Sequence, residues 1–384
     1  MNNSNVQVQL ADVAEIIMGQ SPKGETYNKI GEGIPLLNGP SEFGQSHPTP
    51  ALWTNAPTRL CREGDLLFCV RGSTTGRMNW ADREYCLGRG VGAFRSKTGK
   101  IDTRFIYYSL IFELRRLLSL SSGSVFPNLS RQDFERFTIN WPEKYTRSAI
   151  ASILDALDDK IELNRKMNET LEDMARAIFK SWFVDFDPGL GPHKEWQDSP
   201  LGKIPKGWEV DGIGDVVELA YGKALKEEVR QPGHIPVYGS NGQVGWHNEK
   251  LVDGPGIVVG RKGNPGIVTW VPTDFYPIDT TFYIIPKGIV TSMYYLYHVL
   301  RLQDLPSLGA DSAVPGLNRN MAYMNKMLVA PPEIISAFDN QVKPLADKVN
   351  HNNDQARTLA TIRNTLLPKL MSGEIEVNDA ERRL

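Results

Sequence analysis

From Arg147 to Phe183 the chain contains neither Gly nor Pro, and its inward positions recur at alternating steps of four and three. They are Ile150, Leu154, Leu157, Ile161, Asn164, Asn168, Leu171, Ala175, Ile178 and Trp182. This is a heptad seam and predicts one long helix with a partner. Adding 188 to each position gives Phe338, Val342, Leu345, Val349, Asn352, Ala356, Leu359, Arg363, Leu366 and Leu370, a second seam with more polar interruptions. About 38 residues make a rod of roughly 57 Å. The first helix leads from one globular segment into another and the second leaves that other segment, so lengthwise pairing makes them antiparallel, with the repeats related by a pseudo-two-fold axis. Asn164 and Asn352 then lie near the midpoint, where they are expected to hydrogen-bond across the seam and fix its register. Two solvated Asn on a frayed stripe are the alternative. Pro368, which stands where the first helix has Lys180, is expected to kink or end the second helix before Met371.

The globular segments repeat as well. LADVAEIIMG (Leu10 to Gly19) reappears as IGDVVELAYG (Ile213 to Gly222), and SSGSVFPNLSR (Ser121 to Arg131) is echoed by ADSAVPGLNR (Ala310 to Arg319). Each half closes on a Pro-Glu step, Pro142-Glu143 and Pro332-Glu333, ahead of its helix. A duplication accounts for that shared order. The expected layout is a first domain over 1–144, a helical region over 145–187, a linker over 188–204, a second domain over 205–332 and a second helical region over 333–384. In the first domain Asp65 to Val70 and Gly92 to Phe94 read as strands, and Thr103 to Leu120 as a helix burying Phe105, Tyr108, Phe112 and Leu117. In the second, Gly256 to Gly260 and Phe282 to Ile285 read as strands and Thr291 to Leu302 as a helix. The fold class is therefore α+β, two globular domains joined by two long antiparallel helices in a coiled coil.

Charge changes the picture only when divided. The 384 residues carry 43 basic and 45 acidic side chains, a net −2 with no overall basic signature. Residues 1–144 hold 17 basic and 14 acidic side chains, whereas 145–204 hold 8 and 11. The acidic excess sits on the first helix at Asp155, Asp158, Asp159, Glu162, Glu169, Glu172 and Asp173, a face better suited to a protein partner than to DNA. Three cysteines, Cys61, Cys69 and Cys86, have no metal or disulfide spacing and fit reduced thiols in the cytoplasm. No apolar leader or membrane-length run is visible.

Two loops follow apolar strands at corresponding places: Val70 to Arg77 (VRGSTTGR) and Gly260 to Gly266 (GRKGNPG). Arg71, Ser73, Thr74, Thr75 and Arg77 in the first, and Arg261, Lys262 and Asn264 in the second, supply donors for phosphates and base edges. Asn128 with Arg131, and Asn318 with Arg319, lie just past the Pro-containing loops as supports. One such loop alone is ordinarily a solvated turn; its recurrence favours a ligand surface. No phosphate loop, zinc-protease, serine-hydrolase or amino-methyltransferase motif is present, and the six His stand singly. The expectation is binding without catalysis and without a metal.

The helical stretch RSAIASILDALDDKIELNRKMNETLEDMARAIFKSWFVDFDP (Arg147 to Pro188), TLLPKLMSGEIEV (Thr365 to Val377), and MGQSPKGETYN with GIPLLNG (Gly33 to Gly39) resemble the specificity subunits of type I restriction and modification systems. The second domain departs from that pattern at Gly222-Lys223-Ala224. The resemblance implies a non-catalytic subunit with two target-recognition domains, each reading one half of a bipartite, asymmetric site in double-stranded DNA, the half-sites about one turn apart. It also implies two methyltransferase subunits using S-adenosylmethionine as partners, two translocase and nuclease subunits using ATP and Mg, and no cofactor in this chain. A coiled-coil adaptor that binds only proteins is the alternative reading. Near-neutral domains predict weak DNA binding by the subunit alone, with partners adding phosphate contacts.

Overall fold

A computed structural model describes residues 6–121, 127–187, 195–309 and 316–377. Much of both Pro-containing loops, 122–126 and 310–315, and part of the linker, 188–194, fall outside these described residues. The repeat seen in the sequence is a repeat of structure. Strand Val6–Gln9 pairs antiparallel with Thr138–Trp141, and Glu209–Gly212 pairs in the same way with Lys326–Val329. A single helical turn follows each, Leu10–Val13 and Ile213–Val216, and delivers the chain to an edge strand, Ala14–Met18 or Val217–Tyr221.

Each edge strand opens a four-stranded antiparallel sheet of the same order. In the first domain the order is 14–18, Val91–Ser96, Leu66–Cys69, Met78–Trp80; in the second it is 217–221, Thr281–Pro286, Gly256–Gly260, Val268–Val271. The glycine that ends each edge strand is required by space. A Cβ on Gly19 would lie 2.1 Å from the Gly88 carbonyl oxygen, and one on Gly222 2.2 Å from that of Ile278. A helix, Lys100–Phe112 or Met293–Leu302, covers each sheet. In the first domain Phe68, Phe94 and Phe134 meet edge to face beneath it, with centroids 4.9 to 5.9 Å apart.

Both long helices form, over Lys144–Phe183 and Pro332–Ser372. The chain divides into two compact units, residues 1–164 with 355–384, and residues 165–354, so each unit holds one domain and half of each helix. In the first unit Ile150, Leu154 and Leu157 share a core with Leu366, Leu367, Leu370 and Met371. In the second, Ala175, Phe179 and Phe183 pack with Phe338 and Val342. Rising numbers on one helix meet falling numbers on the other, so the pairing in each unit is antiparallel.

Three local expectations need correction. Phe112 is 37% exposed, because the run from 103 to 120 breaks at Glu113 into two helices, Lys100–Phe112 and Leu114–Leu118. At the end of the first long helix Phe179 and Phe183 enter the core, while Ile178 and Trp182 are only half-buried. A 3.6-residue turn drifts from a strict heptad, and here the helix packs on its own domain as well as on its partner. Pro368 does not stop the second helix, which runs through Pro344 and Pro368 to Ser372 and ends at Gly373 with φ +78°. The lost hydrogen bond is offset by burial of Leu366, Leu367, Leu370 and Met371 on the same turns. Within the seam of the first unit Asn164 donates to Gln355 at 2.9 Å, and within that of the second Asn352 donates to Asn168 at 2.9 Å.

Candidate nucleic-acid interface

Antiparallel pairing carries the end of the edge strand, the start of the second strand and the loop after the third to one end of each sheet. In the first unit that end gathers Met18, Val91 and Arg71. The segment leading to the short helix Arg131–Arg136 is tied in by backbone: Leu129 N–H donates to the Val70 carbonyl at 2.9 Å, and Arg71 bridges Asn128. The Arg71 Nε also donates to Asn128 Oδ1 at 3.1 Å. The second unit repeats this arrangement. Leu317 N–H donates to the Arg261 carbonyl at 2.8 Å, Lys262 bridges Gly316, and Arg319 begins the short helix Arg319–Met324.

These bridges settle which residues correspond. Arg71 matches Lys262, Asn128 matches Gly316, and Arg131 matches Arg319. Asn318 matches Ser130, and both cap their short helices. Asn318 Oδ1 accepts from the Asn320 and Met321 amides at 2.9 and 3.3 Å, and Ser130 Oγ accepts from Asp133 at 3.3 Å.

Within the first loop the side chains separate by what they hold. Thr75 Oγ1 donates to the carbonyls of Gly72 and Pro127 at 2.7 and 3.0 Å, and Thr74 Oγ1 lies 3.7 Å from Cys69 Sγ. Arg77 is a clamp whose guanidinium donates to the carbonyls of Pro40 and Phe43 at 3.1 and 2.6 Å. Ser73 is exposed and, among the described residues, has no side-chain partner. In the second unit Arg261 donates twice to the Asp279 carbonyl, at 3.0 and 2.6 Å, and Asn264 donates to Asn241 Oδ1 at 2.5 Å. Arg261 and Arg319 flank one half-exposed ring, with guanidinium carbons 5.3 and 4.9 Å from the centroid of Tyr221. Two cations and a ring with a free polar tip form a surface suited to phosphate and to the face of a base.

Sequence reasoning missed part of the first surface. A groove of about 960 Å³ runs beside the edge strand 14–18, with Arg59, Arg89, Lys97 and Arg131 among its walls. Its acids are already engaged: Glu15 pairs with Arg95 at 3.0 Å and Glu135 with Arg131 at 2.7 Å. Lys97 donates to the Ala11 carbonyl at 2.6 Å, as Lys287 does to Gly214 at 2.9 Å in the other unit. Arg59 and Arg89 are exposed and have no side-chain partner among the described residues, so they carry the groove's uncompensated charge. Arg89 stands between Gly88 and Gly90 as Arg71 stands before Gly72, a signal that was available in the sequence. Tyr221 and Arg59 gave none, since an aromatic ending a strand and a lone loop Arg are ordinary.

The described residues hold no group of three or more His, Cys, Asp or Glu able to bind a metal ion. All three cysteines are buried, and burial pushes the Cys61 thiol up to about 12. No helix of the described residues is long and apolar enough to cross a membrane.

Residues 3–173 and 205–321 match the family described as type I restriction modification DNA specificity domain. Over 164 residues the chain is 39% identical to the putative type I restriction enzyme MjaX specificity subunit of Methanocaldococcus jannaschii, a match spanning 43% of this chain and 38% of that relative. It is 26% identical to the MjaIX specificity subunit of the same organism over 97% of this chain and 93% of that one. The crystal structure of a type I restriction-modification S subunit from M. genitalium superposes with a TM-score of 0.64 at 20% identity, over 96% of this chain and 97% of the other, a likeness of fold.

Proposed function

Because the chain belongs to the family of type I restriction-modification DNA specificity domains, we propose that it is the DNA-reading subunit of such a system, each globular domain reading one half of a bipartite, asymmetric site. The observation that carries this reading is the repeated sheet end. Two domains with different loop side chains hold basic groups on the same scaffold, so each reads its own bases. Arg71, Ser73 and Thr74 in the first domain, and Lys262 and Asn264 in the second, reach for base edges. Arg59, Arg89 and Arg131, and Arg261 with Arg319, hold phosphates and orient the domain. Thr75, Arg77, Asn128 and Asn318 shape the loops that present them.

The long helices set the distance between half-sites, with Asn164 and Asn352 in the layer that fixes their register. Their acidic face docks two methyltransferase subunits, and two translocase and nuclease subunits complete the restriction complex in the cytoplasm. S-adenosylmethionine, ATP and Mg are held by those partners. A protein-only adaptor is not favoured, because the family match extends over both globular segments.

Replacing Arg261 and Lys262 together by Ala tests the assignment. Each lost contact to DNA costs about 1–3 kcal/mol, so methylation of the native site by the assembled complex should fall by at least about tenfold, with assembly intact. Unchanged methylation would remove this loop from the interface.

A further inference from the structure

One turn of the repeated scaffold carries opposite charges in the two units. In each it joins a strand paired in parallel, Tyr85–Leu87 or Tyr276–Pro277, to the start of the second strand of the sheet, at the end already described. The two turns correspond bond for bond. Gly88 N–H donates to the Leu37 carbonyl at 2.8 Å, as Ile278 N–H does to that of Tyr238 at 2.9 Å. Val91 N–H donates to Gly88 at 3.1 Å and Thr281 N–H to Ile278 at 3.0 Å. Val70 N–H donates to Gly90 at 3.0 Å and Arg261 N–H to Thr280 at 2.9 Å. The central residue is therefore Arg89 in the first unit and Asp279 in the second, and both are exposed.

Asp279 stands beside cations without pairing with them. The Arg261 guanidinium is committed to the main-chain carbonyl of Asp279 and to the Tyr221 ring, and Lys262 N–H donates to the Thr280 carbonyl at 3.1 Å. The Asp279 carboxylate itself has no side-chain hydrogen bond or ion pair among the described residues. An anion at this position cannot hold phosphate as Arg89 does, because like charges repel. What it offers is acceptors alone. In the major groove guanine presents two acceptors, thymine an acceptor beside its methyl group, and adenine an acceptor next to its amino group. Cytosine presents a donor with no acceptor beside it, so its edge is the one that a carboxylate meets without repulsion.

We propose that Asp279 is a specificity residue of the second domain, reading one cytosine of its half-site by accepting a hydrogen bond from the N4 amino group. This assignment rests on the DNA-reading function proposed above and adds a base to it. The charge reversal at one position of a shared turn then gives the two domains different preferences without altering the scaffold that carries them.

Methylation motifs of the assembled modification complex test it, compared for the wild-type chain, Asp279→Ala and Asp279→Asn. The half of the motif that changes on exchange of residues 205–332 is expected to contain a C·G pair that becomes degenerate in Asp279→Ala, with every other position of both halves kept. Asp279→Asn, which trades one acceptor for a donor, should admit adenine there. On synthetic duplexes, 2-pyrimidinone in place of that cytosine removes only the amino group; it should slow methylation by the wild-type complex at least about tenfold and make no difference to Asp279→Ala. An unchanged motif in Asp279→Ala, degeneracy at an A·T pair, or wild-type methylation indifferent to the missing amino group would overturn the assignment. So would a loss uniform over all positions in both variants, the mark of a residue that only shapes the turn. A wild-type chain that directs no two-part motif would refute the DNA-reading function itself, whereas an intact motif that the variants leave unchanged refutes the role of Asp279 alone.

Discussion

Replacing Asn168 by Leu separates what the polar layer of the long helices contributes to stability from what it contributes to register. Asn168 is buried in the second unit, where it accepts from Asn352 at 2.9 Å and donates to Asn353 at 2.8 Å. Leu restores an apolar seam but deletes both bonds, each of about 1 kcal/mol, and deprives Asn352, itself 1% exposed, of an acceptor. Desolvation of an amide left short of a partner adds about 1–3 kcal/mol, against about 1–2 kcal/mol regained from the Leu side chain, so the single variant should lose about 2 kcal/mol. Asn168→Leu/Asn352→Leu removes donor and acceptor together and should lie close to the wild type. By the same reasoning Asn352→Leu alone, which deletes the shared bond and leaves Asn168 short of a donor, should cost about 1 kcal/mol, so a double-mutant cycle predicts a coupling of about 3 kcal/mol. The protein has two units, so the assay must be local: hydrogen exchange followed by mass spectrometry on peptides from 165–183 and 338–354 gives opening free energies for these helices. A neutral single variant, or single costs that simply add in the double variant, would refute the reasoning.

Two further outcomes follow from buried charge. Arg147 donates to Asp102 at 2.7 and 3.3 Å, and the carboxylate is 1% exposed, so Arg147→Gln should destabilise the first unit by about 3–5 kcal/mol while Asp102→Asn/Arg147→Met costs clearly less; urea unfolding read by exchange in that unit checks the order, and equal losses would contradict it. The pKa of His298 is about 4 when folded and 6.5 when free, so its contribution is complete above pH 6.5 and disappears as the pH falls through 4, an upper bound of about 3 kcal/mol. Opening of the second unit should therefore become easier from pH 6.5 to 4.5, and His298→Tyr, the residue of the first unit at this place, should flatten the change; an identical pH profile in the variant would contradict the burial argument.

Long periodic patterns were legible without coordinates. The seams gave both helices, their antiparallel course and the polar layer, because burial against a partner repeats every few residues over some forty positions. Strands 66–69 and 256–260 were legible as short apolar runs bounded by glycines. What escaped depends on which residues three dimensions bring together. Arg59 and Arg89 reach one groove from separate loops, and nothing local to Arg59 marks it. That Arg71 corresponds to Lys262 and not to the neighbouring Arg261 follows from backbone bridges across strands, which the loop sequences alone do not reveal. Pro368 obeys its local preference less than the burial of its neighbours, and Phe112 follows a break at Glu113 that hydrophobic pattern does not encode. Asn318 has the residue type of a base reader and the position of a helix cap, and the hydrogen bonds decide between them.

Sequencing that detects N6-methyladenine across the genome, in cells carrying the partner modification genes with and without this gene, tests the central claim most directly. The account predicts one two-part motif, its halves separated by a fixed gap, methylated only when the gene is present, with exchange of residues 205–332 for those of another specificity subunit changing one half of the motif and preserving the other. Methylation that is indifferent to the gene, or a domain exchange that alters both halves or neither, would contradict it.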